Sequence, residues 1–142
     1  MIIIEDTREQ LSLKFPKAQK VVRQKLDYGD YAADINGKRC PIVFERKSLG
    51  DLFGTLTSGH KRFKKEINRC KDDGSQLVII IEKPYMDIRK GYKYSKMKGK
   101  SITQMLHTLM QKYEVMFMPT NSRREMAMHI YDFFITWEKN FK

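Results

Sequence analysis

The sequence predicts an α/β domain built on a mixed β-sheet with an early hairpin and flanking helices. Three observations carry this. Two strand-like segments flank Asn36-Gly37, the strongest short hairpin signal. Residues 77–81, LVIII, form a continuous apolar run suited to a central strand covered on both faces. After that run come a helical pattern, a short strand and a second helical pattern, the order that right-handed parallel crossovers require.

Taken in order, residues 1–4 are a short apolar run and the first strand, and residues 19–25 are a weaker strand candidate. Residues 30–35 and 41–47 are the hairpin arms, and residues 115–118 are the last strand. Helices fill the gaps. Ser48 and Asp51 have capping-box spacing and open a short helix to about residue 56. Residues 60–71 are helical, with a narrow apolar stripe of Phe63, Ile67 and Cys70. Ser101 and Gln104 form a second box, before a helix with Ile102, Met105, Leu106, Leu109, Met110 and Tyr113 on one face. Ser122 and Glu125 form a third, and the helix behind it runs to about residue 140. That helix carries Met126, Ala127, Ile130, Tyr131, Phe134 and Trp137, and Phe133 and Ile135 widen its apolar surface.

Composition narrows the function. The chain has 142 residues, with 28 Lys and Arg against 17 Asp and Glu, a formal net charge of +11. That length fits a single domain over residues 1–142. No apolar run reaches the roughly 18 residues of a membrane span. The start, MIIIEDTREQ, has acids where a signal peptide needs a basic segment, so no export signal and a cytoplasmic location are expected; a short free-standing form suits a prokaryotic or phage-infected cell. Cys40 and Cys70 form neither a CxxC pair nor a disulfide framework. The charge favours a polyanionic partner, nucleic acid first.

In so basic a chain the clustered carboxylates are informative. Asp6, Asp30 and Glu45 fall at strand ends, with Lys47 two residues beyond Glu45. With a two-residue turn at Asn36-Gly37, Asp30 faces Val43, and Asp30, Glu45 and Lys47 project to one side of the sheet while Arg46 projects to the other. A bulge at Cys40-Pro41 would break this parity. Carboxylates gathered on one face form a hard oxygen site suited to Mg²⁺ or Mn²⁺. A lysine beside them suits a phosphate or an attacking water, so the constellation fits metal-assisted phosphodiester hydrolysis.

These residues also carry a family resemblance. Gly29-Asp30, fourteen residues, then Glu45-Arg46-Lys47-Ser48-Leu49-Gly50-Asp51 resembles the GD-Xn-ERK-XXX-D signature of the XPF-type structure-specific nucleases, in the restriction-endonuclease-like PD-(D/E)xK superfamily. The opening Asp6-Thr7-Arg8-Glu9 is similar to the family's D-x-R-E element. The resemblance spans nearly the whole chain. It implies a restriction-endonuclease-like fold and a metal-dependent DNA endonuclease acting on branched, flap or fork DNA, leaving 5′-phosphate and 3′-hydroxyl ends. It implies metal ligation by Asp30 and Glu45 with Asp6 as a further carboxylate, Lys47 as the catalytic lysine, and Arg46 and Asp51 as further motif residues. In the next helix, Glu66 stands where the family often has glutamine, which puts any role carried to that position in doubt. Many relatives add helix-hairpin-helix or helicase domains, for which this chain has no room. Two alternatives stay open: a Holliday-junction resolvase-like nuclease, and a non-catalytic DNA-binding module on a nuclease fold. A basic RNA-binding protein is more distant, since it would not need the carboxylate cluster.

Asp51 can also be explained as a helix cap, and Arg46 as half of a salt bridge on the far face. The cations divide into patches expected to contact DNA. Lys61, Arg62, Lys64, Lys65, Arg69 and Lys71 line one helix, opposed by Glu66. Arg89, Lys90, Lys93, Lys96, Lys98 and Lys100, interleaved with Tyr92 and Tyr94, fit phosphate contacts and base stacking, and Gly91 and Gly99 mark their segment as a mobile loop. Lys14, Lys17, Lys20, Arg23 and Lys25 form a less specific third patch, and Arg8 joins the DNA-binding candidates. His60, His107 and His129 have no metal-ligand spacing, and His107 reads as a packing residue. Relatives dimerise through their nuclease domains, which makes Phe133, Phe134, Trp137 and Phe141 candidates for a homodimer contact; burial within the monomer is the other reading.

Overall fold

The computed structural model describes residues 1–141. Among them, seven strands form one mixed sheet: β1 (Ile2–Glu5), β2 (Lys20–Arg23), β3 (Tyr31–Ile35), β4 (Lys38–Arg39), β5 (Ile42–Lys47), β6 (Gln76–Ile81) and β7 (Met116–Pro119). The strand order is β2-β1-β3-β5-β6-β7, with β4 paired to β3. β1 and β5 lie antiparallel to β3, while β2 is parallel to β1, and β6 and β7 continue parallel from β5. The helices are α1 (Leu49–Leu56), α2 (His60–Asp72), α3 (Tyr85–Lys90), α4 (Gly99–Tyr113) and α5 (Arg123–Asn140). The fold is the α/β class that the sequence predicts, with β6 as a buried interior strand between β5 and β7.

The period-2 alternation of the strands sorts the core into two sides. Ile4, Ala32, Val43 and Ile79 pack with Leu52, Phe53, Phe63, Ile67 and Leu106 of α1, α2 and α4. Ile3, Ala33, Phe44 and Ile80 pack with Met126, Ile130 and Phe134 of α5. One face of the sheet therefore carries four helices and the other carries α5 with the segment around Leu13 and Phe15.

The Asn36-Gly37 turn forms with positive φ at both residues, 52° and 79°, as a two-residue hairpin requires. Its register holds only over β4, where Asp34 pairs Arg39. Beyond Cys40-Pro41, Tyr31 pairs Phe44, a slip of two residues. Because the slip is even, the alternation of faces survives, and Asp30 comes beside Glu45 rather than Val43.

Three expectations need correction around α3 and α4. The segment before Ser101 is not a loop throughout: α3 forms there, anchored by the buried Ile88 and packed on α4. Gly99 serves close packing rather than mobility, since a Cβ there would run into the Ile88 and Arg89 carbonyls. That contact starts α4 at Gly99, so Ser101 lies inside the first turn, and the N-cap residue Lys98 makes no side-chain capping bond. The other two boxes do cap: the Ser48 Oγ accepts from the Asp51 amide, and the Ser122 Oγ from the Glu125 amide. His107 is exposed and stacks on Tyr85 instead of packing inward. No described helix is long and apolar enough to cross a membrane.

Candidate active site

Three adjacent strands bring the acids together. Asp6 follows β1 and its amide donates to the Asp30 carbonyl at 2.8 Å. Asp30 precedes β3, and Glu45 lies in β5. Glu45 and Lys47 alternate with Arg46, so the first two share a face and the third does not; the Lys47 Nζ lies 3.1 Å from the Glu45 carboxylate. Gly29, with φ of 75°, makes the corner that delivers Asp30. Asp30 is then held by its own amide on the Phe44 carbonyl (2.7 Å) and by the Arg46 amide, which donates to Oδ2 at 2.8 Å.

Two of these carboxyls are protonated more easily than usual. Burial pushes Asp30 up to about 6, partly opposed by the Arg46 amide and Lys47 and reinforced by Glu9 and Glu66. Burial, then the charges of Asp30 and Glu66, raises Glu45 well above the ordinary carboxylate range. For Lys47, burial works against the charge, but Glu45, Asp30 and Glu66 outweigh it and its pKa rises. The lysine is therefore an ammonium, a donor and not a base. Asp6 differs. Burial favours its neutral form, but the Arg8 guanidinium and the Leu26 amide outweigh that and hold it below the usual range. Its Oδ2 accepts from Arg8 Nε at 2.7 Å and its Oδ1 from the Leu26 amide at 2.8 Å.

Beside Lys47 runs a groove of about 410 Å³ lined by Asp51, Arg62, Phe63 and Glu66. Glu66 is the residue whose role the sequence left in doubt. Its Oε1 accepts from the Gly29 amide at 2.9 Å, and its carboxyl also meets that of Glu45. A usable signal was present in the helix period: Glu66 falls at the border between the Phe63-Ile67-Cys70 stripe and the cationic face, so it can turn inward.

The donor set fits a hard divalent cation. Half-buried Asp30 and buried Glu45 set two carboxyls against the single ammonium of Lys47. Among the described residues no three His, Cys, Asp or Glu side chains already converge on one metal position. Two carboxylates completed by water and phosphate oxygens suffice for Mg²⁺.

A family model for the ERCC4 domain matches residues 5–133. The chain belongs to the ERCC4 domain family. Its fold is similar to that of XPF from Aeropyrum pernix, at 22% identity and a TM-score of 0.70, over 92% of this chain and 63% of that one. It is likewise similar to XPF from Aeropyrum pernix in complex with DNA, at 22% identity and a TM-score of 0.69, over 92% of this chain and 62% of that one. This ERCC4 domain thus spans under two thirds of the XPF chains it matches. No curated protein matches the sequence.

The remaining candidates of this ERCC4 domain fall elsewhere. Arg46 is not brought to the cluster. It crosses to the α5 side, where Nε and Nη2 make a bidentate pair with Glu9 at 2.9 and 2.7 Å. Glu82 lies 3.9 Å from both Arg46 and Arg123, and its buried Oε2 accepts no hydrogen bond among the described residues. Asp51 is exposed at the groove and its amide serves the α1 cap. Arg8 spans Asp6 and the Leu26 carbonyl with its side chain 66% exposed. Lys61, Arg62, Lys65 and Arg69 stand exposed on α2, whereas Lys64 turns over the Tyr113 ring. Arg89, Lys90, Lys93, Lys96, Lys98 and Lys100 are exposed on α3, the following segment and the start of α4. That lobe touches the groove wall: Tyr92 packs on Phe53 and against Gly50, and Tyr94 stands exposed on Tyr92. Phe133 and Phe134 pack edge-on against Phe44, so Phe134 belongs to the core and is removed from any dimer contact.

Proposed function

We propose that this ERCC4 domain is a metal-dependent DNA endonuclease acting on branched, flap or fork DNA with Mg²⁺ or Mn²⁺. The observation that carries this is half-buried Asp30 beside buried Glu45, with protonated Lys47 at the wall of a groove that Arg62 borders. A bound divalent cation would supply Lewis-acid polarisation of a phosphoryl oxygen and a more acidic water. Asp30 and Glu45 would hold it. Lys47 would donate to the attacking water or to a phosphate oxygen and offset charge that develops on phosphorus. The ammonium cannot remove the proton of that water, so the proton leaves by another route. Asp6 takes part by fixing Arg8 beside the cluster, and would reach a metal only with the Oδ1 lone pair that the Leu26 amide leaves free. Arg46 would act through structure, tying β5 to Glu9 behind the site. The exposed cations of α2 and of the Tyr92–Tyr94 lobe would contact DNA phosphates.

The test is a panel of flap, fork and four-way-junction DNAs with Mn²⁺, mapped at nucleotide resolution. Wild type should cut near the branch, and Asp30→Ala and Lys47→Ala should abolish cutting while DNA binding persists. Undiminished cutting by both variants would remove the reading. A homodimer would rest on Trp137 and Phe141, which stack at 4.0 Å with Phe141 66% exposed. Sedimentation equilibrium giving a monomer at high concentration would exclude it.

A further inference from the structure

We infer that Glu66 is a positioning residue that sets Asp30 in place by accepting the Gly29 amide, through its acceptor oxygen and not through its charge. This rests on the assignment of Asp30 to the metal site. Asp30 sits in a bracket of four hydrogen bonds. Its carbonyl accepts from Asp6 and its amide donates to Phe44, which ties the backbone to both neighbouring strands. Its carboxylate accepts from the Arg46 amide. The fourth bond, Gly29 N–H to Glu66 Oε1, is the one not supplied by the sheet.

That bond is needed because of the corner. Gly29 is buried with φ of 75°, and a Cβ there would collide with Val43 Cγ1, so the chain turns hard against β5. The turn directs the Gly29 amide off the sheet, and a buried amide requires an acceptor. α2 supplies it. Phe63, Ile67 and Cys70 fix the helix on the sheet, and Glu66, on the border of that stripe, reaches back to the corner. A glutamine carbonyl could accept the same bond with no charge, whereas an alanine could not.

Three proteins separate the possibilities: wild type, Glu66→Gln and Glu66→Ala, each checked for thermal stability. The first readout needs no metal. In NMR spectra the Gly29 amide reports the bond itself, and the Arg46 amide, which does not touch Glu66, reports the Asp30 carboxylate. Glu66→Ala should shift both resonances and speed exchange of both amides, and Glu66→Gln should leave both near wild type. The second readout is Mn²⁺ affinity by electron paramagnetic resonance. Glu66→Ala should weaken it by about 10-fold or more, the scale of losses for groups that orient metal ligands, and Glu66→Gln should stay near wild type. An unmoved Arg46 amide in Glu66→Ala would overturn the inference, as would Glu66→Gln losing Mn²⁺ as severely as Glu66→Ala. A wild type that binds Mn²⁺ and cuts no DNA would end the nuclease reading and leave this inference standing.

Discussion

At the residue scale, the site is a place where folding and chemistry conflict. Half-buried Asp30 and buried Glu45 lie next to each other and to Glu66, with one nearby ammonium. An Asp in the unfolded chain titrates near 3.9, and Asp30 in the fold near 6. The folded state thus holds the Asp30 proton more tightly, so this group's stabilisation is complete below about pH 4 and is lost as pH rises through about 6. At neutral pH the metal-free protein carries the full cost, on the order of 2–3 kcal/mol at about 1.4 kcal/mol per pKa unit. Asp30→Asn keeps an acceptor for the Arg46 amide and removes the charge. It should raise the melting temperature by several degrees at pH 7, with the gain vanishing near pH 4. Mn²⁺ should stabilise wild type and barely affect the variant. Thermal melts from pH 4 to pH 8, with and without Mn²⁺, check both statements. A gain independent of pH would assign the effect to packing instead of charge.

At the element scale, α1 shows how a cap and a site can be told apart. The Ser48 Oγ accepts the Asp51 amide, so the cap uses the backbone of Asp51 and leaves its carboxylate free at the groove. Ser48→Ala should cost about 1 kcal/mol of stability and leave cleavage largely intact. Asp51→Asn keeps the capping amide, so it should melt like wild type, and any loss of cleavage then belongs to the carboxylate. Chemical denaturation paired with a cleavage assay reads both. This overlap explains what the sequence could and could not reveal. Side chains two apart on a strand share a face whatever the register, so Glu45 with Lys47 and the opposite placement of Arg46 were legible. The pairing of Asp30 was not, because the two-residue slip at Cys40-Pro41 depends on how β5 docks between β3 and β6. The start of α4 was missed for a similar reason: local capping chemistry favoured Ser101, but the contact of Gly99 with the Ile88 and Arg89 carbonyls is tertiary. Glu66 looked like one acid among cations until α2 was seated.

At the scale of the whole molecule, the net charge of +11 is not spread evenly in function. The sheet separates α2, on the side of Asp30 and Glu45, from α5 and the segment around Lys14 and Lys17 on the other side. On the proposed reading, a duplex placed for cutting would pass the groove that Arg62 borders and so would meet α2 and not the α5 face. Each phosphate contact releases counterions, and the slope of log affinity against log salt falls in magnitude by about 0.9 for each contact removed. Lys61→Ala with Lys65→Ala removes two exposed cations from α2 without touching Glu66 or the apolar stripe. Measured by fluorescence anisotropy on a branched DNA, without divalent metal so that cutting cannot interfere, this pair should flatten the slope by nearly two units. Lys14→Ala with Lys17→Ala changes the net charge equally but on the far face, and should leave the slope near wild type. Long-range attraction alone would make the two pairs equivalent; a track for DNA along α2 requires that they differ. Equal slopes would mean that the charge steers DNA to the molecule without α2 defining where it lies.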